Sequence, residues 1–100
     1  MVTLDTIQLE NRTFQTITVE LPETTLLIVK SQIGYIMCGA LDIEVLDGKW
    51  PDRKIVAGRA MGVRTLDQLL QAPLESVTIA AGELGWKKGM SGREALLIGV

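Results

Sequence analysis

Apolar positions in the first third of the chain recur at every second residue. Ile17, Val19 and Leu21 alternate with Thr16, Thr18 and Glu20, the period of a half-buried strand. Val2 and Leu4 fall in one phase, Ile7 and Leu9 in the other, so a bulge is expected between them. Glu10-Asn11-Arg12 suits a hairpin turn, because Asn tolerates positive φ. Leu26 to Val29 is an unbroken apolar run, which predicts a strand covered on both faces. Ser31-Gln32-Ile33-Gly34 turns the chain into a strand over Tyr35 to Ala40, and another is predicted over Lys54 to Ala60, centred on Ile55 and Val56.

The remainder changes to helical spacing. Asp42 caps a short helix carrying Ile43, Leu46 and Trp50, which Gly48 and Pro51 should end early or kink. Thr65-Leu66-Asp67-Gln68 has the form of a capping box, Leu66, Leu69 and Leu70 form an apolar stripe, and Ala72-Pro73 stops the helix. Val77, Ala80, Ala81 and Leu84 share one helical face, with Gly85 as the stop. Gly82 weakens that helix, or the small residues Ala80 to Gly82 let it approach the sheet closely. Ser91-Gly92-Arg93-Glu94 is a second capping box, opening a last helix through Leu96, Leu97 and Ile98. This order predicts an α+β fold, with one mainly antiparallel or mixed sheet and three to four short helices. We expect a single domain over residues 1–100, with a β-rich part over 1–33 and an α/β part over 34–100.

Composition adds an expectation of self-association. Hydrophobic residues make up 47% of the 100, aromatics only 4%. That much aliphatic surface is hard to hide in one small globule, and a contiguous exposed apolar patch marks an interface. The weak helix cover of the first third makes it the expected oligomer surface. The net charge of −2, with no basic run, argues against nucleic acid or anionic membrane as partners. The N-terminus lacks the basic and apolar regions of a secretion signal, and no apolar stretch is long enough to span a bilayer, so the cytoplasm is the expected compartment. Histidine is absent, which removes Ser-His-Asp triads, Cys-His dyads and His-based zinc sites, even in an assembly of identical chains. No cofactor or metal site is expected.

What chemistry remains centres on one cysteine and three arginines. Cys38 is the sole cysteine. It is either a nucleophile or a buried small hydrophobe, and no histidine stands by to take its proton. Arg59 and Arg64 flank Gly62 before the Thr65 cap, and Arg93 follows Ser91 and Gly92. Arginines beside two helix starts and several glycines suggest a pocket for a small anion, a carboxylate or phosphate. The competing structural reading pairs the arginines with Asp67, Glu75 or Glu94. Neither Gly58-x-x-x-Gly62 nor Gly89-x-x-Gly92 is a phosphate-loop signature. Ser91 with Lys88 as base, and Asp67 with Glu75 as an acid/base pair, are each explained as well by capping and by solvated helix faces. Trp50 and Trp86 read as core or interface anchors.

Three segments carry a wider resemblance. They are Gly34-Tyr35-Ile36-Met37-Cys38-Gly39-Ala40-Leu41-Asp42, Val56-Ala57-Gly58-Arg59-Ala60-Met61-Gly62-Val63-Arg64-Thr65 continuing through Leu74-Glu75-Ser76-Val77, and Gly89-Met90-Ser91-Gly92-Arg93-Glu94-Ala95-Leu96. Together they resemble the YunC-like family, a small bacterial and archaeal domain of unknown function. The resemblance spans nearly the whole chain. It implies a compact α+β domain whose β-rich N-terminal region takes part in tetramerisation, and it supplies no reaction, substrate or catalytic residue. Between Asp42 and Lys54 the family carries a fuller helix than Gly48 and Pro51 suggest here.

The leading expectation is thus a homo-oligomer, a dimer or tetramer, holding a small anion with Arg59, Arg64, Thr65, Ser91, Gly92 and Arg93. The alternatives are a cysteine-dependent enzyme acting on a small metabolite through Cys38, and a structural or regulatory subunit without catalysis.

Overall fold

The two apolar phases of the N-terminal segment occupy opposite faces of one sheet. In the computed structural model, which describes residues 1–39 and 55–98, β1 (Val2–Leu9) and β2 (Arg12–Leu21) pair in unbroken antiparallel register, from Val2 opposite Val19 to Leu9 opposite Arg12. The expected bulge is therefore not formed. Ile7 and Leu9 face the core, while Val2 and Leu4 face outwards and are 62% and 73% exposed. The turn between the strands has φ of 51° at Glu10 and 66° at Asn11, the two positive values of a type I′ hairpin.

The same parity runs through β2 and β3 (Thr24–Lys30). The residues of β2 that enter the core are Phe14 and Thr16, at 1% and 2% exposure. Ile17 and Val19 point the other way, opposite Ile28 and Leu26 of β3 and Leu4 and Val2 of β1. The apolar run of β3 divides likewise. Leu27 and Val29 are buried in the core, and Leu26 and Ile28 are half-buried. Pro22 and Glu23 join β2 to β3, and Glu23 has φ of 63°, the arrangement of a type II turn.

β4 (Tyr35–Cys38) pairs antiparallel with β3, and β5 (Ala57–Ala60) pairs parallel with β4. β6 (Ser76–Val77) closes the far edge, so the six strands lie in sequence order. β5 is shorter than the expected Lys54–Ala60 strand because the Thr78 hydroxyl occupies its first polar groups. That hydroxyl donates to the Ile55 carbonyl at 2.6 Å and accepts from the Ala57 N–H at 3.1 Å. It also accepts from the Ala81 N–H at 3.2 Å, capping the next helix.

Three short helices among the described residues cover β3 to β5 on one face. α1 (Leu66–Gln71) buries Leu69, and Ala72-Pro73 ends it as expected. α2 (Ile79–Glu83) begins later than its apolar spacing suggested, because Val77 pairs with Gly58 in β6. It ends in a Schellman motif. Trp86 N–H bonds the Ala81 carbonyl, Gly85 N–H bonds the Gly82 carbonyl, and Gly85 has φ of 104°. α3 (Gly92–Leu97) starts at a complete Ser91–Glu94 capping box. The helix expected from Asp42 lies outside the described residues.

The core joins Phe14, Val29, Ile36, Leu69, Trp86 and Leu96. One of its close contacts is at Gly92. A Cβ there would lie 2.5 Å from Ile36 Cδ1 and 2.7 Å from the Leu69 carbonyl oxygen, so only glycine lets α3 meet both α1 and the sheet. Gly82 is the reverse case: a Cβ there would meet nothing within 4 Å, so it is not the device for close approach to the sheet. We therefore expect Gly82→Ala to stabilise the protein by about 1 kcal/mol, and Gly92→Ala to destabilise it by about 1–3 kcal/mol. Urea denaturation of the two variants beside the parent checks both.

Candidate functional site

β4 is short, and what happens at its carboxyl end defines the site. Beyond Met37 the ladder between β3 and β4 stops. The Cys38 thiol occupies the opening: Leu27 N–H donates to its sulfur at 3.4 Å, and Sγ donates to the Thr25 carbonyl at 3.7 Å. The side chain thus satisfies two backbone groups that a continuing strand would have paired. Cys38 is 2% exposed, which is the small buried hydrophobe of the structural reading, with a polar duty added.

Above that end lies an open cleft of about 580 Å³, lined by Leu21, Glu23, Thr24, Thr25, Val63 and Arg64. One wall is the turn into β3. The other is the loop after β5, and β4 is the strand between them. A crevice at the carboxyl ends of a parallel pair is where open α/β sheets place their ligands. Arg59 reaches the same end of β4. Its side chain projects from the outer face opposite Met37, and Nη2 donates to the Gly39 carbonyl at 2.8 Å. Nε is buried without a partner, and no carboxylate pairs with this guanidinium among the described residues. Gly39 itself lies under Met61, whose sulfur would be 2.7 Å from a Cβ there.

Cys38, Arg59, Arg64 and Thr65 are thereby gathered at one end of the sheet, and Ser91, Gly92 and Arg93 are not. Ser91 bridges to Pro73, just beyond the C-terminal end of α1. Arg93 reaches Glu10 in the β1–β2 turn at 3.6 Å, both side chains exposed. Arg12, beside that turn, donates to the Leu97 carbonyl. The β1–β2 turn and the cleft stand at opposite ends of β2, whose ten residues span roughly 30 Å. Gly92 is a packing glycine, and Arg93 belongs to a surface ion pair.

The helix starts are also occupied. Thr65 Oγ1 accepts from Gln68 N–H, and Gln68 Oε1 accepts from Arg64 N–H rather than from Thr65, one residue short of a standard capping box. Ser91 Oγ accepts from Glu94 N–H, and Glu94 Oε1 from Ser91 N–H. The cap takes the third amide of each helix, and helices of six residues carry too short a dipole to hold an anion by themselves. Asp67 and Glu75 form no pair with each other, and Glu75 accepts instead from the Ser76 hydroxyl. Burial pushes the Tyr35 phenol above its usual 10.0, at the opposite end of β4. No group of three or more His, Cys, Asp or Glu side chains able to hold a metal occurs among the described residues.

Leu21, Glu23, Thr24, Thr25 and Val63 were not among the sequence candidates. The one signal for them was Pro22-Glu23, a charged residue at a turn position that favours glycine.

Comparison with known proteins places this arrangement in a family. Residues 37–98, which hold the last two residues of β4, then β5, β6 and all three described helices, match the domain of unknown function DUF1805. The chain belongs to this family. An uncharacterized protein, YunC, of Bacillus subtilis (strain 168) is 61% identical over 97 residues, covering 97% of this chain and 96% of that one. A crystal structure of a protein of unknown function from Thermoplasma acidophilum, TA1206, superposes with a TM-score of 0.83 at 31% identity, covering 94% of this chain and 88% of the other. The expected kinship and the α+β fold both hold. No helix among the described residues is long and apolar enough to cross a membrane.

The bonding of Cys38 yields an expectation for this DUF1805 chain. The native thiol should react with iodoacetamide only after denaturation. Cys38→Ala, which leaves Leu27 N–H and the Thr25 carbonyl unpaired, should cost about 1–3 kcal/mol in urea denaturation. Rapid alkylation of the native protein would instead restore Cys38 as a candidate nucleophile.

Proposed function

We propose that this protein is a homo-oligomer, a dimer or tetramer, that binds a small anion at the carboxyl end of β4, with Arg64 in the cleft and Arg59 beside it. The observation that carries the anion is an arginine charge at this end of the sheet that no carboxylate among the described residues compensates. A half-buried guanidinium with an orphaned Nε is costly unless a counter-charge arrives. Arg64 lines a cleft of the size that small molecules occupy. Self-association is supported by the outer sheet face, where Val2, Leu4, Ile17, Val19, Leu26 and Ile28 form a connected apolar surface in adjacent strands. None of the described helices covers that face.

Light scattering on a size-exclusion column should give a multiple of the chain mass. Leu4→Glu, on a side chain already 73% exposed, should lower that mass without unfolding the protein. A parent monomer at all concentrations would end the oligomer reading. Thermal shift with inorganic phosphate and a panel of small carboxylates tests the anion. A ligand at a hundred times its Kd stabilises by about 2.7 kcal/mol, which is several degrees in Tm for a chain of this size. The rise should vanish in Arg64→Gln and shrink in Arg59→Gln. No rise with any of these anions would remove the anion reading.

A further inference from the structure

We propose that the cleft at the end of β4 takes a small aliphatic zwitterion, an α-amino acid or a compound of the same charge pattern, with its carboxylate at Arg64 and its ammonium at Glu23. The inference rests on the anion reading above and specifies the ligand's chemical class. Arg64 and Glu23 come from different walls of the cleft, the loop after β5 and the turn into β3. No ion pair joins them or engages either elsewhere among the described residues. Among the described residues each charge is thus left to meet a ligand, and a simple anion would face repulsion from Glu23.

The rest of the lining fits the same class. Thr24 and Thr25 offer hydroxyls for an ammonium or a carboxylate, and Leu21 and Val63 offer apolar contact for a short branched side chain. Glu23 also holds its place against its own backbone preference. Its φ of 63° lies in the left-handed region, which glycine occupies at far lower cost. A carboxylate kept at such a position points to a use for the carboxylate.

Three probes of nearly one shape separate the charges: L-valine, 3-methylbutanoate, which lacks the ammonium, and isobutylamine, which lacks the carboxylate. Isothermal titration of the full chain should show valine binding about fivefold more tightly than 3-methylbutanoate, the scale of one exposed ion pair. Isobutylamine should be weaker than valine. Glu23→Gln should erase the advantage of valine while leaving 3-methylbutanoate at least as tight, and Arg64→Gln should weaken both. Equal binding of valine and 3-methylbutanoate, or an advantage that survives Glu23→Gln, overturns the zwitterion and leaves the anion reading standing. Binding of phosphate but not valine does the same. Failure of every probe and of phosphate overturns both.

Discussion

Among the described residues, helices of six, five and six residues rise only about 8–9 Å each. Six strands at about 4.8 Å spacing make a sheet roughly 24 Å wide. This disproportion organises the molecule. The described helices can roof β3, β4 and β5, where the core residues cluster, and β1 with much of β2 projects beyond them. The wing is built from good strand sequence all the same, so its apolar residues have to go somewhere. One phase feeds the core through Ile7, Leu9 and Phe14. The other forms the outer face.

The same economy shapes the candidate site. A sheet that changes from antiparallel to parallel pairing at β4 needs a crossover there, and β4 stops after four residues. Its neighbour β3 continues past it, β5 ends level with it at Ala60, and an opening is left above its end. The thiol of Cys38 pairs the backbone groups of β3 left open there, Arg59 holds the Gly39 carbonyl at the same end of β4, and the two flanking segments supply the cleft's walls. The two charged groups that line the cleft, Glu23 and Arg64, therefore come from connections, while Thr24 and Thr25 come from the first residues of β3.

Local grammar was readable in the sequence. Capping at Thr65 and Ser91, the stop at Ala72-Pro73, the glycine stop at Gly85 and the Asn11 turn all depend on residues within a few positions of one another, and all are present. What depended on register was not readable. Val2-Leu4 against Ile7-Leu9 looks like one face in need of a bulge until β1 is seen as an edge with apolar residues on both sides. Ile17 and Val19 read as core for the same reason, although Phe14 and Thr16 hold that place. The arginine cluster illustrates a longer-range limit. Arg64 and Arg93 stand beside equivalent helix starts, and nothing in their local sequence tells that β2 separates their surroundings. Gly92 reads as part of a capping box and of an anion pocket until the Leu69 carbonyl is found against it.

The Thr78 hydroxyl has a consequence for how the structure comes apart. One oxygen serves three backbone groups, at Ile55, Ala57 and Ala81. It thereby fastens the beginning of the second parallel strand to the beginning of a helix more than twenty residues later. Neither end can loosen without stranding polar groups of the other in a buried place. The two segments, distant in the chain, thus share a single opening event, and the last third of the protein is tied to the fate of the sheet rather than free to fray from it.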